Sequence, residues 1–182
     1  MTAPAKPPTA FRAVSRVLDV LSTAALWLAA IGLVAMTLIV GWQVFGRYVL
    51  NSTPIWSEPL TLQLMSWFIV FGAAVGVREN FHLGLDLLHY LLPDAVGKVF
   101  DAITLVLMIV FGVAMSFYSA QLAIGTWSAT LPALGWPGSF DFLPMVIGGA
   151  LITLFSLERL VELAAGARHA PETQDVANIE VV

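Results

Sequence analysis

Cysteine is absent, and charge is scarce. Without cysteine there are no disulfides, no iron–sulfur ligands and no thiol nucleophile. Charged residues make up 11% of the 182 residues, against about 25% in a soluble domain. Histidine occurs only three times, and the 8 basic side chains are outnumbered by 12 acidic ones, for a net charge of −4. No basic stripe offers itself to a phosphate backbone, so nucleic acid is not an expected partner. What fills the chain instead is apolar: 59% of residues, with a mean hydropathy of +0.88. A soluble fold of this size has too little interior to bury that much. Disorder is excluded for the same reason. The class that remains is an integral membrane protein.

The few charges are clustered, and the gaps between them set the architecture. Charge-free windows run over 20–46, 59–77, 102–140 and 142–157. A helix needs about 20 apolar residues to cross a bilayer. The third window is too long for one crossing, and Gly135, Pro137 and Gly138 near its end are turn chemistry. Division there gives spans at about 19–46, 57–78, 101–127 and 141–160. The first apolar run is too long for a cleaved signal peptide and reads as a retained anchor. The expected fold is therefore all-α, with four transmembrane helices in a membrane domain over 17–165. Residues 1–16 read as a disordered arm, and 166–182 as a polar tail.

Orientation follows from the basic residues. With four spans both termini share a side, and that side holds Lys6, Arg12, Arg16, Arg78, Lys98, Arg159 and Arg168, leaving only Arg47 opposite. Both termini are expected in the cytoplasm. The loops near 46–58 and 128–141 then face outward, the second ringed by the belt aromatics Trp127, Trp136 and Phe140.

The connector 79–100 has a helical pattern of its own. Arg78, His82, Asp86 and His89 fall on one stripe, with Phe81, Leu85, Leu88 and Leu92 on another. An amphipathic helix lying in the headgroup plane is expected there, in contact with membrane lipids. His82, Asp86 and His89 have metal-compatible spacing, but no fourth ligand joins them, and a polar stripe is the simpler reading. No histidine lies inside a span, which leaves buried haem without an axial ligand. No metal, cofactor or catalytic residue is expected.

The middles of the spans carry no ionisable side chain. Ion pathways and solute sites ordinarily need such groups or broken helices. Gln43, Gln63, Ser66, Thr104, Ser116 and Gln121 supply hydrogen bonds between helices. Small residues recur at close-packing intervals: Gly72 and Gly76 in the second span, Gly112, Ser116 and Ala120 in the third, Gly148 and Gly149 in the fourth. Before the second span, Ser57 is placed to cap the helix, with Glu58 at the positive end of its dipole or paired with Arg47.

Taken in order, Gly46-Arg47-Tyr48, Trp56-Ser57-Glu58, Trp67, Gly72-Ala73-Ala74, Arg78, His82 and Asp86 resemble the small membrane subunit, of DctQ type, of the tripartite ATP-independent periplasmic (TRAP) transporters. One departure stands out: Pro59 occupies the place of a second acid in the family's W-x-E-E pattern. The resemblance implies a non-catalytic scaffold subunit in the bacterial inner membrane. Its partners would be a large membrane subunit, which carries the solute and sodium sites, and a periplasmic substrate-binding protein. The cargo class it implies is an organic acid. Arg47, Trp56, Glu58, Trp67, Gly72, Gly76, Arg78, His82 and Asp86 are the candidate structural or subunit-interface residues. Without the resemblance, an anchor subunit of a quinone- or haem-linked redox complex and an autonomous small channel or adaptor remain open.

Overall fold

The computed structural model describes residues 9–79, 94–131 and 133–164. Four long helices account for most of them: α1 (Thr9–Tyr48), α2 (Ser57–Arg78), α3 (Asp94–Gly125) and α4 (Leu143–Ala164). A 3₁₀ turn, Gly138–Asp141, leads into α4. All four are long and apolar enough to cross a membrane.

Two of these helices are longer than the apolar windows suggest. α1 begins at Thr9, so residues 9–16 are helical, not part of a disordered arm. α3 begins at Asp94, directly after Pro93, well before the expected start near 101. The reason is common to both. A charge ends a hydrophobic window, but it does not end a helix whose first turns stand in water. At about 1.5 Å per residue, α1 is about twice as long as the hydrocarbon core is thick. Its ends, and the start of α3 with Lys98 and Asp101, project beyond it. The interfacial helix expected between α2 and α3, with His82, Asp86 and His89, lies outside the described residues.

The helices pack as a row. α1 lies against α2, α2 against α4, and α4 against α3; no other pair among the described residues packs along its length. The core is built where α2 and α4 meet their neighbours: Phe71, Ala74, Val75 and Val77 on α2, Leu151, Ile152 and Phe155 on α4. α1 joins through Leu18, Ser22, Ala25, Ala29 and Gly32, a stripe spaced alternately four and three residues apart. Nearly all of these are small, which brings the α1 backbone close to α2. The outer sides of α1 and α3 are broad and apolar, with Trp27, Leu38, Leu107 and Val110 exposed. In water such surface would drive aggregation; in a bilayer it meets lipid.

Among the helix glycines, the closest backbone-to-backbone approach between helices is that of α3 and α4. A methyl group at Gly149 would stand 2.7 Å from the Gly112 carbonyl oxygen and 2.8 Å from the Ser116 amide nitrogen. One at Gly112 would stand 2.8 Å from the Gly149 carbonyl oxygen. Ser116 Oγ donates to the Val146 carbonyl at 2.9 Å across the same contact. The small-residue ridges of the third and fourth spans thus face each other. Gly149→Leu is expected to lower stability by about 2–3 kcal/mol through forced overpacking. Gly41→Leu, at a site with nothing within 4 Å, should leave it nearly unchanged. Thermal unfolding of the two variants in one detergent checks this.

Candidate functional site

α2 starts from a short loop in which Ser57 plays a different part from the cap expected of it. Ser57 is the first helical residue, fully buried, and its hydroxyl donates to the Pro54 carbonyl at 2.8 Å. Trp56 holds the cap position with no side-chain cap bond. Glu58 stands exposed in the first turn, where the helix dipole favours an acid. Arg47 is exposed near the end of α1, and no ion pair joins it to Glu58 among the described residues. Gln63 Nε2 on α2 donates to the Phe140 carbonyl in the 3₁₀ turn before α4 at 2.7 Å. Ser139 Oγ donates to the Ala123 carbonyl at 2.5 Å. The 126–142 segment is closed by a bridge between Thr130 and Pro137, and Trp136 and Phe140 lie with ring centres 5.8 Å apart. This end of the row is therefore held by polar side chains on backbone carbonyls.

The opposite end is held by charge. Arg78, the last residue of α2, sits between α1 and α4. Its Nη2 donates to Asp19 Oδ1 on α1 at 2.5 Å, and its Nε donates to Glu158 Oε2 on α4 at 3.1 Å. Its guanidinium carbon lies 5.6 Å from the centre of the Phe155 ring, within cation–π range. The side chains of Arg78 and Glu158 are only 14% and 5% exposed, whereas that of Asp19 is 62% exposed. Arginine suits this place because its planar fork offers several donors in fixed directions.

A second arginine completes the cluster. Arg159 donates through Nε to the Arg78 carbonyl oxygen at 2.8 Å, and through Nη2 to the same oxygen. That carbonyl belongs to the last turn of α2, whose oxygens have no partner within the helix and carry the negative end of its dipole. Arg159 Nη1 also lies 3.5 Å from Glu162 Oε2. One α4 arginine therefore caps the end of α2, while the α2 arginine pairs with an α4 acid.

Elsewhere on α2, Trp67 is half-buried and packs edge-on against Phe71, ring centres 5.0 Å apart. Gly72 and Gly76 are half-buried with nothing within 4 Å of where a Cβ would stand. Among the described residues they make no close helix contact; the α1–α2 approach uses the small residues of α1 instead. With Leu62, Met65, Ile69 and Ala73, all exposed, they form a stripe along α2 that no helix among the described residues covers. His82 and Asp86 lie outside the described residues. Asp19, Glu158 and Arg159 were not among the sequence candidates. Their signal was topological: each falls at a span end that four crossings put on the same side as Arg78.

Four apolar helices in a row, with every ionisable side chain of the described spans near a helix end, define a multi-pass membrane protein without a charged midplane. A family model of the DctQ component of the tripartite ATP-independent periplasmic transporters matches residues 36–166. The chain belongs to this family, whose members are small membrane components of bacterial inner-membrane transporters. It is 30% identical over 94 residues to the C4-dicarboxylate TRAP transporter small permease protein DctQ of Vibrio cholerae, covering 52% of this chain and 38% of that one. It is 24% identical over 135 residues to the sialic acid TRAP transporter small permease protein SiaQ of the same organism, covering 71% and 75%. The sialic acid TRAP transporter permease protein SiaT of Haemophilus influenzae is 33% identical over 153 residues, which are 81% of this chain but 24% of that permease.

The geometry ranks the members of the charge cluster. Arg78→Leu leaves Glu158 buried without its cation and should cost about 3–5 kcal/mol. Asp19→Ala removes a largely exposed partner and should cost about 1 kcal/mol or less. Unfolding of the full chain in detergent, followed by near-ultraviolet circular dichroism, distinguishes the two.

Proposed function

We propose that this chain is the non-catalytic small subunit of a sodium-coupled, binding-protein-dependent TRAP transporter, and that it scaffolds the large transport subunit. The observation that carries this reading is the emptiness of the midplane. The helices place no ionisable group between Asp19 and Arg47 on α1, between Glu58 and Arg78 on α2, or between Leu143 and Leu157 on α4. A solute carrying a carboxylate would meet no counter-charge there. The work of carrying it falls to another polypeptide. The match to 24% of SiaT supports the pairing, because a unit like this chain there forms a minor part of a much longer permease.

The cargo class rests on the names of relatives: C4-dicarboxylates and sialic acid are both carboxylated organic acids. The charge cluster, with the helix ends that carry most of the basic residues, is assigned to the cytoplasmic side by the positive-inside rule. The outward loops around Trp56 and Trp136 then stand on the periplasmic side, where a soluble binding protein docks.

The uncovered stripe of α2 is the surface proposed to meet the large subunit. Small residues let a partner backbone approach, and Gly72 and Gly76 have the space for it. Gly76→Leu is expected to reduce co-purification with the co-expressed large subunit by about tenfold, a loss of about 1.4 kcal/mol. The same change should leave the unfolding of the isolated chain unaltered. Full-rate solute uptake by the large subunit and binding protein alone would defeat the scaffold role, and undiminished co-purification of the variant would turn this stripe toward lipid.

A further inference from the structure

The charge cluster borders an open cleft of about 330 Å³ at the end of the row where α1 begins and α2 and α4 finish. Its walls are Ser15 and Asp19 of α1, Arg78 and Glu79 at the end of α2, and Glu158, Arg159 and Glu162 of α4. Four carboxylates thus face two guanidiniums, and both guanidiniums are already engaged. Arg78 is held by Asp19 and Glu158, and Arg159 by the Arg78 carbonyl and Glu162. On the acidic side the engagement is incomplete. Glu158, 5% exposed, gives one oxygen to Arg78, while its other oxygen, Oε1, is buried and has no hydrogen-bond partner. A carboxylate oxygen withdrawn from water calls for a donor. Glu158 Oε1 is therefore short of one hydrogen-bond donor among the described residues.

The kind of donor follows from the geometry. No group of three histidine or carboxylate side chains among the described residues is arranged to hold a metal ion. Spread-out single acceptors suit an ammonium, with three donors pointing in different directions. The cleft also lies at the ends of three membrane-length helices, where headgroups stand if those helices cross a bilayer. Exposed Leu157 and Val161 alternate with Glu158 and Glu162 on α4, and exposed Val14 and Val17 flank Ser15 on α1. Hydrocarbon surface thus runs directly from the cleft into the bilayer. We propose that this cleft binds the primary ammonium headgroup of an amino-phospholipid, phosphatidylethanolamine in class. Glu158 supplies the buried acceptor, and the acyl chains lie along α1 and α4. The bound lipid would couple the three helices that Arg78 ties together.

The test uses the full chain, purified and exchanged into micelles containing phosphatidylethanolamine, phosphatidylcholine or phosphatidylglycerol, with retained lipid counted by native mass spectrometry. Phosphatidylcholine is the critical control, since its quaternary ammonium keeps the charge and has no N–H to donate. The ethanolamine lipid is expected to be retained about tenfold over the choline lipid, the worth of one charge-assisted hydrogen bond. Glu158→Gln should abolish most of that preference. Glu79→Gln, which removes one wall charge and leaves the Arg78 pairs intact, should reduce it by about twofold, and it keeps the test decisive if the Glu158 variant does not fold. Equal retention of the two lipids, or an unchanged preference in Glu158→Gln, overturns the proposal. Displacement of the lipid by free ethanolamine at equal concentration would assign the cleft to a soluble amine. A large-subunit lysine or arginine cross-linked to Glu158 in the co-purified complex would assign it to a protein. Either result contradicts a lipid site.

Discussion

One guanidinium holds three helices together. Arg78 reaches Asp19 on α1 and Glu158 on α4 from the end of α2, and Arg159 returns the connection by capping the α2 carbonyl. Inside a membrane, apolar side chains gain nothing by leaving lipid for one another, so helix association depends on packing and on polar bonds. A row of helices has fewer contacts than a closed bundle, because its outer members touch only one neighbour. The row is accordingly fastened at both ends. Charge fastens it at the end where α2 and α4 finish. Gln63, Ser116 and Ser139 fasten it toward the other, each donating to a carbonyl on another element.

This arrangement has a consequence for function. The inner helices α2 and α4 are braced on both edges, and no helix among the described residues lies across a face of the row. In the proposed scaffold role, a plate of this kind would add breadth and stiffness to the subunit it lies against. The Gly72–Gly76 stripe on α2 offers room for a partner helix, and the apolar outer sides of α1 and α3 meet lipid. The described spans hold no charged side chain at their middles. Membership of the DctQ family makes the chain a membrane component of a transporter, and the lack of midplane charge in the described spans is what the proposed division of labour rests on.

The four crossings were legible in the sequence because charge is so rare that its gaps outline the spans. The roles of Gln63 and Ser116 were legible too, since a polar side chain in an apolar helix has few alternatives to bonding a neighbour. The helix limits were not, because hydropathy reports where lipid ends, and α1 and α3 continue past that point. The close-packing glycines were only partly readable. Spacing marked both the Gly72–Gly76 and Gly112–Gly149 sets, but only packing shows that the second meets a helix and that the first meets none among the described residues. The α1 stripe from Ser22 to Gly32 escaped notice because alanine and serine are unremarkable in such a composition. The charge cluster was hidden most deeply. Asp19, Arg78 and Glu158 are far apart in the chain, and each alone reads as a span terminus.

A double-mutant cycle between Arg78 and Glu158, replacing each by leucine singly and together, tests the central tie most directly. Unfolding free energies of the full chain in one detergent should show a coupling of at least about 2 kcal/mol, with the double variant more stable than either single one. Additive losses, within about 0.5 kcal/mol, would mean that the row stands without this pair and would contradict the account.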